Sequence, residues 1–379
     1  MLSFGGCNSL LNAVYSVFKQ ALNTNLSQEV PLELSSALDQ NVFFFSGFKT
    51  YKELQEVSSL LKNYSGTFKS FDKFKLEASK IGKIYNENYL RAEYNFAVQS
   101  CQMAVKWNEY AKDGDNYYLQ YRTANDGKVR PAHQALNKTT LPFSDKFWNN
   151  YYPPLDWNCR CTVVQVRKNK YPLSDSDKAV KQGELATDTP KKKIFRFNAG
   201  KEMKIFPSKH PYLPKGCGEC DVRKRINLVT KKDPALPQCR TCRYLLKECL
   251  KQTEKNITEW KKKHIDEKNG LSIKSNNLAT GEILITRGSV RNTMGHTANL
   301  NIHNSLFDIE NKATQFKYIG WASVKPPKHP DTAYFNYYEI VIQDKTYYAN
   351  VKVLKIDHKE VLYCIRDNIG TVNTIPPPQ

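Results

Sequence analysis

No run of eighteen apolar residues occurs in the 379-residue sequence, which excludes a helix able to cross a membrane. The first stretch, MLSFGGCNSLLNAVYSVF, lacks a basic start, and no A-x-A-like site follows it, so no secretory signal is expected. No internal repeat is present. Acidic residues are the scarcer charge, 37 against 57 Lys and Arg, for a formal net charge of +20. Residues 1–166 hold 18 basic and 15 acidic side chains, residues 167–268 hold 27 and 13, and residues 269–379 hold 12 and 9. A basic excess concentrated in the middle third is a footprint for polyanions, nucleic acid first among them, or else a solvated lysine-rich stretch. Ten cysteines without an export signal point to a reducing compartment, where paired cysteines read as metal ligands before disulfides.

What is present describes a globular chain. Hydrophobic residues make up 40% and charged residues 25%, and the length suits two or three domains. The frequent aromatics, 22 Tyr and 18 Phe, suit aromatic-rich cores or interfaces. Residues 1–120 read as helix, with Leu11, Val14, Phe18 and Leu22 on one face and Leu54, Val57, Leu60 and Leu61 repeating the pattern. From Tyr121 to Val166 short extended pieces alternate with turns around Pro142, Pro153 and Pro154. Residues 167–209, polar and without an apolar period, read as a basic linker. Residues 210–250 hold a compact cysteine module, followed by a charged helix over 251–269. Residues 270–379 open on the strand-like GEILITR, pass a helical stretch near 298–315, and end in NYYEIVI, TYYANVKVLKI and VLYCIRD separated by turns, an antiparallel meander. The fold class expected is α+β in several domains.

The segment YRTANDGKVRPAHQALNKTTLPFSDKFWNNYYPPLDWNCRC resembles the signature of the Mu F-like head-morphogenesis family. The resemblance is carried by Thr123, Asp126, Val129-Arg130, His133, Leu136, Asp145, Phe147-Trp148, Pro153-Pro154 and the closing Trp157-Asn158-Cys159-Arg160-Cys161. It extends upstream through the preceding helices, from FFFSGFKTYKEL to YNENYLRAEYNFAVQSCQMAVKW, and so covers residues 40–166. It implies a low-copy minor head protein inside the phage particle or the bacterial cytoplasm, with portal, capsid proteins and packaged DNA as partners.

Within that segment, Asp126, His133, Cys159 and Cys161 all carry groups that bind zinc. Either a metal clamps the two ends of the segment, or Asp126 and Arg130 make turn and salt-bridge contacts while the cysteines pack as small apolar groups. One residue between the cysteines suits tetrahedral chelation less well than two, which favours the second arrangement. No base–nucleophile pair is evident there.

The cysteine module is different. Cys217 and Cys220 are spaced C-x2-C, as are Cys239 and Cys242, with eighteen residues between the pairs. This spacing is expected of a structural zinc held by four thiolates; inert free thiols or an iron–sulfur cluster are the alternatives, and Cys249 or His210 lies close enough to replace one ligand. Four protein ligands close the coordination sphere, so no catalysis is expected at this metal.

The C-terminal order of strand, helix and meander resembles the barnase/EndoU/colicin/RelE-type nucleases, which implies metal-independent RNA cleavage. That chemistry needs a base, an acid and cations at the phosphate. His296, Arg291, Arg287 and His329 are the candidates, with Lys328 beside them. The other reading makes the arginines surface charges and His296 a loop residue. The sequence therefore describes a minor head protein with a ribonuclease-like C-terminal effector. A purely structural head protein and a zinc-ribbon nucleic-acid-binding protein are its competitors.

Overall fold

The computed structural model describes residues 8–27, 29–213, 240–324 and 327–374. The chain divides into two compact units, one comprising Met1–Val30 and Ala37–Asp221, the other Pro31–Ser36 and Val222–Gln379. Both combine helices with sheet, antiparallel in the first unit and mainly antiparallel in the second, an α+β architecture.

The first unit begins with α1 (Asn8–Asn23), α2 (Leu32–Ser59), α3 (Phe71–Lys83) and α4 (Leu90–Asp113), the last two joined by a π-helical turn over Ile84–Tyr89. In α1 the apolar residues recur every three or four positions, so Leu11, Val14, Phe18 and Leu22 fall on one buried face. The expected stripe at the end of α2 is only partly covered: Leu54, Val57 and Leu60 are half-buried, and Leu61, beyond the helix, is exposed. The core side of the part of α2 in this unit is instead formed by Leu38, Val42, Phe45 and Phe48. Phe45 stacks on Phe206 at 3.6 Å between ring centroids, and Phe18 meets both rings edge-on. Lys49 of α2, fully buried, pairs with Glu93 of α4 at 2.8 Å.

A three-stranded antiparallel sheet follows, ordered β2-β1-β3, from β1 (Tyr118–Arg122), β2 (Thr140–Pro142) and β3 (Thr162–Val166). Its register sets Leu119 opposite Leu141 and Tyr121 opposite Val163. Two short helices, α5 (Pro131–Gln134) and α6 (Phe147–Tyr151), fill the connections.

Residues 167–209 are not a linker. They form α7 (Ser176–Ala186), capped by Asp175 accepting from the Lys178 amide at 2.9 Å, and α8 (Pro190–Lys193). They also bury Phe195, Phe197, Ala199, Ile205 and Phe206. These side chains dock singly rather than along one helical stripe, which is why no period announces them. Gly183 lets α7 approach α6 closely, since a Cβ there would lie 2.5 Å from the Tyr151 ring.

The second unit is built on a six-stranded sheet ordered β4-β5-β9-β8-β7-β6. Its described elements run α9 (Arg240–His264), β4 (Leu271–Lys274), β5 (Glu282–Ile285), α10 (Arg287–His296), α11 (Leu300–Ser305), α12 (Ile309–Thr314), β6 (Lys317–Ser323), β7 (Thr332–Ile342), β8 (Lys345–Leu354) and β9 (Glu360–Arg366). The meander therefore has four strands rather than the expected three. The additional one, β6, carries a bulge and Gly320 in a conformation that hides it as a strand. β7 and β8 are joined through Gln343 and Asp344, both at positive φ, as a tight hairpin demands.

The helix near 298–315 is two short helices, and a separate helix, α10, precedes them. α9 supplies Ile257 and Trp260 to the same core as Tyr338, Ile340, Val351 and Leu362, so this core begins well before residue 270. α9 also absorbs most of the charged helix expected at 251–269.

Beyond its two residues of parallel pairing with β5, β9 is flanked by α10. Thr293 accepts from the Ile365 amide at 3.1 Å, and Ser289 donates to the Leu362 carbonyl. Side chains of α10 thus satisfy backbone groups that a neighbouring strand would otherwise satisfy.

Candidate functional site

In the first unit, Pro131 opens the short helix α5, which presents His133 inward at 2% exposure. Cys159, Arg160 and Cys161 lie immediately before β3, outside any helix or strand. Cys159 and Cys161 both face His133, with sulfur-to-Nδ1 distances of 3.6 and 3.9 Å. The three ligand atoms all lie within 4.8 Å of one another, and this group could hold a metal ion. Arg160, between them, forms a two-pronged ion pair with Asp126 at 2.5 and 2.8 Å. Asp126 is therefore committed to Arg160. Arg130 likewise donates to the Trp157 carbonyl at 2.9 Å and pairs with Asp156 at 3.4 Å.

The electrostatics of the group favour one thiolate. A hydrogen bond from Cys161, with His133 adding to it, holds the Cys159 thiol well below its ordinary pKa despite burial. The Cys161 thiol is pushed up by that same neighbour and by burial. A small open pocket reaches the group, lined otherwise by Ala124, Lys128, Val129, Arg130, Asn158 and Arg160.

Of the four cysteines expected to bind zinc, Cys217, Cys220 and Cys239 lie outside the described residues. Cys242 is buried in the first turn of α9, and Cys249 is buried two turns further along the same helix. His210 sits among the rings of Phe45, Phe48 and Tyr212, where burial brings its pKa down to about 3. It is a neutral core histidine.

In the second unit the four proposed catalytic side chains separate into two groups. Arg287 is taken up structurally: it donates to the carbonyls of Ile265 and Lys262 at 2.9 and 3.2 Å and pairs with Glu267 at 3.0 Å. Arg291 is one helical turn further on the same side of α10, near enough to Lys261 to add to the burial that lowers that lysine's pKa. His296, the last residue of α10, lies on the opposite side. The arginines and His296 are thus not brought together.

His296 and His329 do converge, on Tyr363. Their ring centroids lie 5.5 and 4.9 Å from the tyrosine ring. Arg366 Nη2 donates to His296 Nδ1 at 3.5 Å, which leaves Nε2 to donate to the Tyr363 hydroxyl at 3.3 Å. Lys352 stands 5.5 Å over the same ring. Burial and then the Lys352 charge lower the His329 pKa, which keeps that imidazole neutral. Lys328 is exposed beside it. Sequence reasoning passed over Tyr363, Arg366 and Lys352. Strand alternation was the available signal for two of them: Lys352 stands between buried Val351 and Val353, and Tyr363 between buried Leu362 and Cys364.

Residues 64–164 match the family described as Phage Mu protein F like protein. The chain is 37% identical over 71 residues to the putative capsid assembly protein F of Escherichia phage Mu, across 18% of this chain and 16% of that one. It is 32% identical over 90 residues to the Mu-like prophage FluMu F protein of Haemophilus influenzae, across 21% and 22%.

Residues 64–164 are Mu F-like.

The chain spans between 16 and 22% of the length of these curated relatives. No solved structure matches it. The Mu F-like region contains His133, Cys159, Cys161, Tyr121 and the Asp126–Arg160 pair. It ends before α7, and none of the second unit's meander falls within it.

Proposed function

We propose that the chain is a phage or prophage minor head protein whose Mu F-like region serves head assembly and whose second unit is a metal-independent ribonuclease-like effector. The assembly role is supported by the likeness of residues 64–164 to a putative capsid assembly protein. Portal and capsid proteins are the partners of this reading, and the virion interior is its location. The basic stretch 167–268 supplies nucleic-acid contact, and the two C-x2-C pairs hold a structural zinc.

The single observation carrying the nuclease reading is the convergence of His296, His329 and Arg366 around Tyr363, with Lys352 over the ring. Neutral His329 takes the proton from an RNA 2′-hydroxyl, and the resulting oxygen attacks the adjacent phosphorus. The bond to the 5′-oxygen breaks as that oxygen receives a proton from His296 in its protonated form, in which Nδ1 carries a proton and no longer accepts from Arg366, leaving a 2′,3′-cyclic phosphate. Lys352 and Arg366 stabilise the charge that develops on the phosphoryl oxygens. The test is incubation of the full chain with labelled RNA in chelator, alongside His296→Ala. Cleavage by the wild type ending in a cyclic phosphate, and lost in the variant, is expected. A folded wild type inert toward RNA and harmless on expression would leave a purely structural head protein.

A further inference from the structure

We infer that His133, Cys159 and Cys161 bind one zinc-class ion through three protein ligands, with the fourth coordination position open to the adjoining basic pocket. The spacing of the donor atoms carries this. With Zn–S near 2.3 Å and Zn–N near 2.0–2.1 Å, a tetrahedral ion sets its nitrogen and sulfur ligands about 3.6 Å apart. The observed sulfur-to-Nδ1 separations are 3.6 and 3.9 Å. A hydrogen bond from an imidazole needs one sulfur, whereas both sulfurs here address the same nitrogen.

The local chain geometry supports the same conclusion. Both thiols address one imidazole nitrogen, and the side chain between them is held in an ion pair with Asp126. His133 is anchored in α5, and the cysteines enter β3, so an ion would join two segments far apart in sequence. The buried Tyr121 hydroxyl, with no other hydrogen-bond partner, interacts with Cys161 and is suited to donate to its thiolate. Two thiols lose their protons to solvent on binding, and the resulting thiolates neutralise a divalent ion.

Only three protein donors converge among the described residues, and the pocket side is lined by Lys128, Arg130 and Arg160. An oxygen donor therefore completes the sphere, water in the isolated protein. This separates the site from the four-cysteine stretch, whose sphere would be closed.

The experiment uses the full chain with Cys217, Cys220 and Cys239 all replaced by Ser, so that metal at the other site does not intrude. Zinc content by mass spectrometry should be about one equivalent. It should be lost on adding Cys159→Ser and retained on adding Cys364→Ser, a buried thiol of β9. Because Cys159→Ser could also disturb folding, cobalt substitution of the triple variant gives a second readout. The thiolate-to-cobalt absorption should correspond to two sulfurs, and His133→Cys should raise it by about half while keeping the ion. X-ray absorption should report two sulfur and two nitrogen or oxygen neighbours. A folded triple variant without metal, or one whose cobalt spectrum is unmoved by His133→Cys, overturns the assignment.

Discussion

Arg160 and Asp126 form an exposed two-pronged ion pair, which ties down the residue between Cys159 and Cys161. Exposed pairs of this kind contribute little to stability, so their value here lies in orientation. Asp126→Asn should leave the melting temperature unchanged while zinc transfers from the His133 site to a chelator severalfold faster. Stopped-flow chelation of the variant lacking Cys217, Cys220 and Cys239 measures this. An unchanged transfer rate would show that the cysteines are oriented by β3 alone.

Lys49 and Glu93 pose the opposite problem, two charges out of water. Burial lowers the lysine pKa and raises that of the glutamate, while the Tyr85 carbonyl at 2.9 Å and the Tyr212 hydroxyl complete the network. Glu93→Ala removes the partner and leaves an uncompensated buried cation, which should destabilise the first unit by about 3–5 kcal/mol. Lys49→Met combined with Glu93→Leu should cost far less. Denaturant unfolding of the three proteins decides; equal losses for the single and double variants would mean that packing, not charge, governs the site.

Gly183 tests whether residues 167–209 pack as described. A methyl group there meets the Tyr151 ring at 2.5 Å, so Gly183→Ala should destabilise by about 1–3 kcal/mol through overpacking, outweighing the usual gain of alanine in a helix. In a solvated linker the same change would be neutral or stabilising. A thermal melt distinguishes the two signs.

These cases show what the sequence made legible. The amphipathic stripe of α1 and the strands β7–β9 could be read directly because their periods, 3.6 and 2, are carried by strongly apolar side chains. The segment from Thr123 to Cys161 was legible as a resemblance because its residues are unusual in combination. Phe195, Phe197 and Phe206 carry no period, so the ordered stretch that holds them read as a linker. Cys159 and Cys161 were judged against the C-x2-C rule, which describes tight turns. Here both thiols reach one imidazole although a single residue separates them. Arg287 and Arg291 looked like phosphate ligands because the start of α10 was not placed, and with it the side of the helix they share.

The pH dependence of the second unit follows from His329. Its pKa is lowered first by burial and next by Lys352, so the imidazole stays neutral to lower pH than an ordinary histidine. If it serves as base, the acid limb of RNA cleavage lies below the usual histidine range, and activity falls only as the pH drops through that lowered value. Lys352→Ala removes one source of repulsion toward the imidazolium, so the limb should move up, toward ordinary histidine. It should not reach it, because burial remains the larger cause. Imidazole titration by NMR in both proteins checks the assignment independently of turnover.

The contrast between the two sides of α10 gives the sharpest test of the nuclease reading. His296 reaches Tyr363 and Arg366, and its replacement by alanine should lower RNA cleavage by about two orders of magnitude or more, the usual contribution of a positioned acid–base group. Arg366→Ala removes a cation and the hydrogen bond that sets the His296 tautomer, so it should reduce kcat more than it raises KM. Arg287→Ala should behave differently. It breaks donations to the Ile265 and Lys262 carbonyls and the pair with Glu267, so the loss should appear in the melting temperature, with cleavage per folded molecule retained. Arg291→Ala, on an exposed turn, should change neither by much. If instead the Arg287 and Arg291 variants lose cleavage at unchanged stability while His296→Ala does not, the phosphate lies on the α9 side of the helix and the Tyr363 cluster is not the site.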